Sequence, residues 1–263
     1  MPNKGKSTAP NPPTKKKKTG LSGVRGYKVV KSNDLIQKAR FDLSIQEQKI
    51  ILYLISKIKP EDNEFTTIEF NVKEFCAVCG INSSGKNYND IKDAIKALAD
   101  KSIWVTIDIG KQAIMRWIDK SIIDINTGTM QIKFDDLLKP YLLHVKKNFT
   151  QYELYNILAM KSQYSIRLYE ILRSYEYKHI IEFRIDDLKD MLAATTYERY
   201  QDFRRYVIDT AIKEIVDLSD INVEHESIRE GRRYTKILFN IRRKQDLDEN
   251  FATWKRILNA IGE

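Results

Sequence analysis

The sequence predicts an α+β fold in which two domains of similar plan follow a disordered basic tail. One pattern occurs twice in the 263 residues, and corresponding segments lie about 113 to 118 residues apart. Each copy has an apolar helix, a short strand, a pair of helices and further β segments. A repeat of this length indicates a duplicated domain, because solenoid units span only about 20 to 50 residues. The chain is long enough for two domains of about 100 residues, each with its own core.

The predicted tail, residues 1–27, carries most of the net charge. Together with Lys28 it contributes eight positive charges and no acid, so the rest of the +9 chain is nearly neutral. It is rich in Pro, Gly, Ser, Thr and Asn, a composition that cannot offset the entropy lost on folding. A flexible basic arm of this kind attracts nucleic acid without base specificity. The alternative is that the tail only keeps the protein in solution and has no binding partner.

Deleting residues 1–26 separates these two roles of the tail. If the tail contacts DNA, deletion is expected to lower mainly the salt-sensitive, non-specific affinity, because fewer counterions are released on binding. The measurement is the slope of log affinity against log salt concentration on random duplex DNA, for the full and the shortened chain. An unchanged slope would leave the tail only a solubilising role.

The composition argues against a membrane protein or a disulfide-stabilised one. Hydrophobic residues make up 42% of the chain, which is typical of globular proteins. No apolar run approaches the roughly 20 residues that cross a bilayer, and the N-terminus lacks the apolar centre of a signal peptide. Two cysteines provide no disulfide framework. We therefore expect a protein of a reducing cytoplasm with no membrane partner.

The first copy is assigned to residues 28–146 and begins with a strand over residues 27–31. Ser44 and Glu47 have the spacing of a capping box, which predicts a helix beginning at Ser44. The next elements are a strand at 65–70, helices at 71–79 and 88–101, and β segments at 103–109, 113–125 and 129–134. Two helices joined by a polar turn indicate a helix-turn-helix. With a following β-hairpin, this is the arrangement of a winged helix.

A helical connector is predicted over residues 135–160, and the second copy is assigned to residues 147–246. The elements of the second copy are helices at 162–178, 186–192 and 200–218, and strands at 180–185, 221–225 and 234–242. The tip of its hairpin is predicted over residues 226–233. Residues 247–263 are predicted to form a C-terminal helix with Trp254 as its apolar anchor.

The last helix of the second copy begins with side chains suited to base contacts. In a helix-turn-helix the start of this helix enters the major groove, while the hairpin, or wing, meets the backbone. Arginine matches the acceptor pair of guanine, glutamine pairs with adenine, and aspartate accepts from cytosine. The candidate residues are Arg199, Gln201, Asp202, Arg204 and Arg205. Of these, Arg199, Asp202 and Arg205 are expected to point away from the core.

The predicted wing tip of the second copy is also basic. Its candidates for phosphate contact are Arg229, Arg232 and Arg233. A solvated charged face is the alternative, and Glu198, Glu226 and Glu230 dilute the positive charge. We favour DNA contact because the start of the helix and the tip of the wing are basic together.

The corresponding helix of the first copy is less basic. Its candidates are Lys86, Asn87, Asn89 and Lys92, which suit phosphate contacts better than base recognition. The long β region that contains Trp104 and Trp117 offers apolar surface for a protein partner. Both DNA contact and a purely protein-binding role therefore stay open for the first copy.

Three motifs suggest enzymatic chemistry but lack required parts. Residues 80–87 nearly match a phosphate-binding P-loop, yet Asn87 replaces the Ser or Thr that holds Mg²⁺, and a helix precedes the motif where a strand is needed. Cys76 and Cys79 have zinc-ligand spacing without a second pair, and we expect both to face the core. No two histidines are close in sequence, as the metal site of a nicking enzyme requires. We predict no cofactor, no metal and no catalysis.

Four segments of the chain resemble the plasmid replication initiators of the iteron-binding Rep type, a family of tandem winged-helix proteins. These segments are residues 30–35, 149–154, 161–172 and 197–215. The resemblance covers about residues 28–245, so the basic tail lies outside it.

The resemblance implies a non-enzymatic initiator of plasmid replication. A monomer would bind repeated origin sites (iterons) in double-stranded DNA, distort the duplex and help to recruit the host initiator ATPase, replicative helicase and chaperones. A dimer joined through the first domain would bind an inverted repeat in the operator and repress the initiator's own promoter. By position, Arg199, Asp202 and Arg205 would be the main base contacts, and the first domain would contact the DNA backbone. The alternative is a winged-helix transcriptional regulator without a replication role.

Overall fold

A computed structural model describes residues 26–59, 61–79, 81, 84–245 and 247–262 of the chain. Residues 1–25, which are most of the predicted basic tail, lie outside the described residues. Within the described ranges, no helix is both long enough and apolar enough to cross a membrane.

The N-terminal part of the first domain is built around one buried helix. Its elements are β1 (Lys28–Ser32), α1 (Asn33–Lys38), β2 (Ala39–Arg40) and α2 (Ile45–Ile55). The predicted capping box is confirmed: Ser44 Oγ accepts from the Glu47 amide at 3.3 Å, and the Glu47 carboxylate accepts from the Ser44 amide at 2.6 Å. These bonds satisfy amides that the first helical turn leaves free. Residues 50–55 are all buried, so α2 lies at the centre of this core.

Two helices and two hairpins follow α2. They are β3 (Ile68–Asn71), α3 (Val72–Cys79), α4 (Gly85–Asp100), β4 (Ser102–Asp108), β5 (Lys111–Arg116), β6 (Ile118–Asp124) and β7 (Thr129–Phe134). The sheet order β3-β7-β6 places the hairpin β6–β7, the first wing, beside the strand that precedes the helix pair. The order β2-β4-β5 places β4–β5, which we call the extra hairpin, in a separate sheet.

The single strand predicted over residues 113–125 is wrong, because the chain changes sheets at Trp117. Strand β5 pairs with β4 in the extra hairpin, whereas β6 pairs with β7 in the first wing. Trp117 is fully buried, and its ring meets Phe41 edge-on with 5.2 Å between centroids. Burial of so large an aromatic side chain stabilises the break between the strands. No glycine or proline marks this break in the sequence.

The helical connector predicted over residues 135–160 is wrong at its centre. The helices α5 (Lys139–Leu142) and α6 (Tyr155–Leu158) flank a strand, β8 (Phe149–Glu153). Strand β8 pairs antiparallel with β1 along its whole length, which satisfies backbone groups that β1 would otherwise leave free. This pairing crosses the predicted boundary between residues 146 and 147, so β8 packs with the first strand of the chain.

The second domain repeats the plan of the first. Its elements are α7 (Gln163–Ser174), β9 (Ile180–Arg184), α8 (Ile185–Met191), α9 (Tyr200–Phe203), a π-helical turn (Arg204–Ile208), α10 (Asp209–Leu218), β10 (Ile221–Glu230), β11 (Arg233–Arg243) and α11 (Leu247–Gly262). The sheet order β9-β11-β10 corresponds to β3-β7-β6, and β10–β11 is the second wing. In both domains a helix pair follows the outer strand of this sheet, β3 or β9, and precedes the wing. The prediction of an α+β fold with two tandem winged-helix domains is confirmed.

Helix α7 joins the two domains. It packs against α1 and α2 of the first domain and against α10 of the second. Arg167 on α7 donates to the carbonyl oxygens of Ala39 at 2.9 Å and of Met191 at 3.2 Å, one in each domain. Gln48 on α2 donates to the carbonyl oxygen of Gln163 at 3.1 Å. Specific hydrogen bonds therefore hold the domains in one relative orientation.

Candidate nucleic-acid interface

The second domain presents one continuous helix, residues 200–218, which we call the recognition helix. Its buried side chains are Phe203, Val207, Ile208, Ala211 and Ile215. Arg199, immediately before the helix, and Arg205 are exposed, and the Asp202 side chain is 45% exposed. Gln201 and Arg204 are exposed as well. The structure thus brings all five predicted base-contacting residues to the start of one helix, on the side away from the core.

The recognition helix contains a π-helical turn over Arg204–Ile208. The extra residue allows a contact between positions five apart: Arg204 Nε lies 3.5 Å from Asp209 Oδ1. Asp209 Oδ1 also lies 3.1 Å from His225 Nε2 on β10. Burial lowers the pKa of His225, although the Asp209 carboxylate opposes that shift. The sequence predicted an uninterrupted helix here, and π turns of this kind are frequent at functional sites.

The candidate arginines differ in how they are held. Arg199 lies 3.9 Å from the Asp202 carboxylate, and Arg204 lies beside Asp209. Arg205 lies over the Tyr206 ring, with its guanidinium carbon 5.3 Å from the centroid. Within the described part of the chain it has no carboxylate partner within 4.0 Å. Its guanidinium group is therefore the most available of the three.

The second wing is longer than predicted. The tip expected over residues 226–233 is wrong, because β10 and β11 remain paired as far as Glu230 and Arg233. Cross-strand pairs hold the outer part of the hairpin. Residues 226–230 are exposed or half-buried, so no hydrophobic alternation marks this part as a strand. Gly231 takes a φ of +64° in the two-residue turn, a conformation that favours glycine. Arg232 and Arg233 are exposed at this tip.

Arg229 is held against the second wing. Its guanidinium carbon lies 4.2 Å from the centroid of Tyr234, and it donates a hydrogen bond to the Tyr234 hydroxyl. Tyr234 in turn stacks on Tyr200, the first residue of the recognition helix. The sequence prediction named Arg229 as a phosphate contact and missed both tyrosines.

A cleft of about 660 Å³ is lined by the second wing, α8 and the start of the recognition helix. Three cations that the sequence prediction missed line it: Arg184, Lys189 and Lys236. Lys236 Nζ lies 2.9 Å from the Glu182 carboxylate, whereas Arg184 is exposed beside the cleft. No sequence motif connects these cations, because they come from β9, α8 and β11.

The first domain has a weaker cationic surface at the corresponding places. Helix α4 starts after Ser84, whose hydroxyl accepts from the Asn87 amide at 3.3 Å. Among the predicted residues, Lys86 and Asn89 are exposed, and Asn87 and Lys92 are half-buried.

The tip of the first wing carries no cation. It is the turn over residues 125–128, next to Asp124, which accepts from the Asn126 amide at 2.8 Å. Hydrogen bonds from these turn residues lower the pKa of the Asp124 carboxyl. The first wing therefore ends in a negative group where the second ends in arginines.

The two cysteines lie on α3 and face the core, as predicted. Burial raises the pKa of Cys79 to about 12, so the thiolate that binds metals is scarce at neutral pH. Across the ranges that the structure covers, no group of three or more His, Cys, Asp or Glu side chains could hold a metal ion. Helix α3 precedes the P-loop-like residues 80–87, of which three lie outside the described residues.

Comparisons with known proteins agree with this architecture. Residues 28–173 match the family described as Initiator Replication protein, WH1, and residues 184–241 match Initiator Rep protein, WH2. A Replication initiation protein of Escherichia coli is 23% identical over 231 residues, which cover 84% of this chain and 71% of the relative. The PI protein of Escherichia coli is 31% identical over 147 residues, which cover 48% of this chain and 47% of the relative.

Among solved structures, a similar fold occurs in the crystal structure of Pi initiator protein in complex with iteron DNA. The TM-score is 0.72 at 21% identity, and the match covers 84% of this chain and 99% of that one. Together with the family match, which includes the first domain, α7 and most of the second domain, this similarity identifies the fold. The chain belongs to the initiator replication proteins, the Rep family with two winged-helix domains.

Proposed function

We propose that this replication initiator binds repeated origin sites, the iterons, mainly through its second winged-helix domain. The observation that carries the proposal is that arginines are exposed both at the start of the recognition helix and at the tip of the second wing. These are the two places at which a winged helix meets DNA. The iteron complex of the Pi initiator, which has a similar fold, supports the same class of ligand.

The test is replication in a cell. A plasmid that lacks its own initiator but carries the origin DNA is supplied with this protein from a second plasmid. Replication only in the presence of the protein is the expected result. The matched control is the Arg199→Ala/Arg205→Ala protein, which we expect to fold but not to support replication.

The competing function is a transcriptional regulator that uses the same domains at a promoter. Direct repeats in the DNA near the coding gene would favour the initiator, and a single inverted repeat alone would favour the regulator. We also propose that the protein is not an enzyme. Cleavage of origin DNA with a covalent tyrosyl adduct would contradict that part of the proposal.

We further propose that the protein forms a dimer through the extra hairpin of its first domain. Trp104 on β4 and Ile114 on β5 are cross-strand partners, and their side chains are 44% and 54% exposed. Among the described strands, β5 lies at the edge of the sheet β2-β4-β5, and no other strand pairs with its outer backbone groups. An apolar face beside an open edge strand is suited to pairing with a second copy.

Replacing Ile114 by lysine is expected to weaken the dimer about tenfold or more, because a charge would lie in an apolar contact. The matched control is Ile180→Lys on β9, since Ile180 is 55% exposed but lies in the second domain. Sedimentation over a concentration series measures the monomer–dimer equilibrium of each variant. Equal weakening by both substitutions would contradict a contact at the extra hairpin.

The dimer would repress the initiator's own promoter by binding an inverted repeat, while the monomer serves the origin. In this role the protein acts in the bacterial cytoplasm, on plasmid DNA. The host initiator ATPase, the replicative helicase and chaperones are its proposed protein partners. Pull-down of these three from a host extract on origin DNA, with and without the protein, tests each partner separately.

A further inference from the structure

A stack of three side chains connects the second wing to the recognition helix. The rings of Tyr200 and Tyr234 are stacked, with centroids 4.4 Å apart and an interplanar angle of 29°. The Arg229 guanidinium carbon lies 4.2 Å from the Tyr234 centroid. The Tyr200 hydroxyl forms a hydrogen bond with Ser227 Oγ on β10. This wing stack, defined as Arg229, Tyr234 and Tyr200, therefore joins both strands of the wing to the first turn of the helix.

The wing stack lies at the edge of the main core, against which Tyr200 and Tyr234 pack. Tyr200 and Tyr234 are half-buried and Arg229 is exposed, whereas Phe203 and Ile237 on the same two elements are fully buried. The core residues hold the helix and the sheet together at the base of the wing. The stack acts further out, between the base and the arginines at the tip.

A winged helix binds DNA at two places, and both must fit the same duplex. A wing that moves freely relative to the helix loses conformational entropy when it binds, and preorganisation removes this cost. We propose that Tyr234 is a positioning residue, which sets the angle of the second wing so that Arg232 and Arg233 reach the backbone while the recognition helix occupies the groove. Arg229 acts within the stack and not as a phosphate contact. This inference rests on the DNA-binding role proposed above.

The test uses the full chain and a duplex that the wild-type protein selects from a randomised pool. Affinity is measured over a range of salt concentrations for wild type, Tyr234→Ala, Arg232→Ala/Arg233→Ala and the triple variant. Tyr234→Ala is expected to lower the affinity about tenfold. The plot of log affinity against log salt concentration is expected to become less steep by about 1.8, as for two lost phosphate contacts. The triple variant is expected to equal the double variant, because Tyr234 acts through the two arginines.

Two further variants separate positioning from a general structural role. Tyr234→Phe preserves the stacked ring and is expected to keep the wild-type salt slope. Arg229→Ala removes an exposed member of the stack, so it tests the proposal even if Tyr234→Ala fails to fold. Arg229→Ala is expected to make the salt dependence of the affinity less steep. The same substitution is expected to have no such effect in a protein in which Arg232 and Arg233 are already alanine.

Additive losses in the triple variant, or a wild-type slope in Tyr234→Ala, would overturn the positioning role. A reduced slope in Tyr234→Phe would overturn it as well. If the wild-type protein selects no duplex at all, the proposed DNA-binding role fails and this inference fails with it. If the wild-type protein selects a duplex but the losses in the triple variant are additive, only the positioning role of Tyr234 is overturned, and the DNA-binding role stands.

Discussion

Replacing Arg205 by alanine is expected to weaken binding to the iteron by about 1 to 3 kcal/mol and to relax the preference at one base pair. Arg205 is exposed near the start of the recognition helix, and its guanidinium lies over the ring of Tyr206. Its guanidinium is thus not committed to a carboxylate, unlike that of Arg204 beside Asp209. Such a group can make two parallel hydrogen bonds to the acceptor edge of guanine.

The matched control for this prediction is Arg205→Lys. Lysine keeps the charge but not the planar pair of donors, so it cannot replace a bidentate base contact. We expect Arg205→Lys to lose specificity almost as Arg205→Ala does while retaining more affinity for random DNA. Titration of iteron and random duplexes at one salt concentration measures both quantities. Equal weakening of Arg205→Ala on the two duplexes would reduce Arg205 to a phosphate contact.

The overall plan of the fold was predictable because it depends on local patterns. The capping box at Ser44 and Glu47 marks the start of α2, and polar turns separate the helices of each pair. The repetition of these patterns predicts the duplicated winged helix. The paired strands β1 and β8 are different, because they lie about 120 residues apart in the sequence. Their pairing depends on contacts between distant parts of the chain. The local pattern of apolar and polar residues therefore did not distinguish β8 from the helices around it.

The candidate site was predictable only where neighbouring residues share one element. Arg199 immediately precedes the recognition helix and Arg205 lies in its second turn, so the sequence identifies both. The stack of Tyr200 on Tyr234 joins residues from a helix and a strand, and no spacing rule connects them. The π-helical turn at Arg204–Ile208 was missed because the contacts of Asp209 with Arg204 and His225 exist only in the folded domain.

Replacing Glu170 by glutamine is expected to destabilise the protein by about 3 to 5 kcal/mol, the cost of breaking a buried ion pair by removing one charge. Lys31 Nζ lies 2.8 and 2.9 Å from the two carboxylate oxygens of Glu170, and the side chains are 1% and 3% exposed. The Tyr152 hydroxyl donates to the same carboxylate at 2.7 Å. Burial lowers the pKa of Lys31, and the Glu170 carboxylate opposes that shift. Glu170 therefore favours the charged form of the buried Lys31 side chain.

A second ion pair across the same domain interface supplies the control. Arg40 Nε lies 2.7 Å from the Asp190 carboxylate, but these side chains are 30% and 60% exposed. Water and salt screen an exposed pair, so Asp190→Asn is expected to cost about 0 to 1 kcal/mol. Urea unfolding of Glu170→Gln, Asp190→Asn and wild type measures the difference. Similar losses in the two variants would show that burial does not decide the strength of these pairs.

The double variant Lys31→Met/Glu170→Leu distinguishes the cost of an unpaired charge from the value of the pair. Replacing a buried pair by apolar side chains of similar size is often neutral or stabilising, so we expect the double variant to recover most of the loss in Glu170→Gln. The pair connects β1 of the first domain to α7, which packs against both domains. If the double variant folds stably but loses cooperativity between its domains, the pair serves to fix their orientation. A double variant as unstable as Glu170→Gln would instead show that the pair itself stabilises the fold.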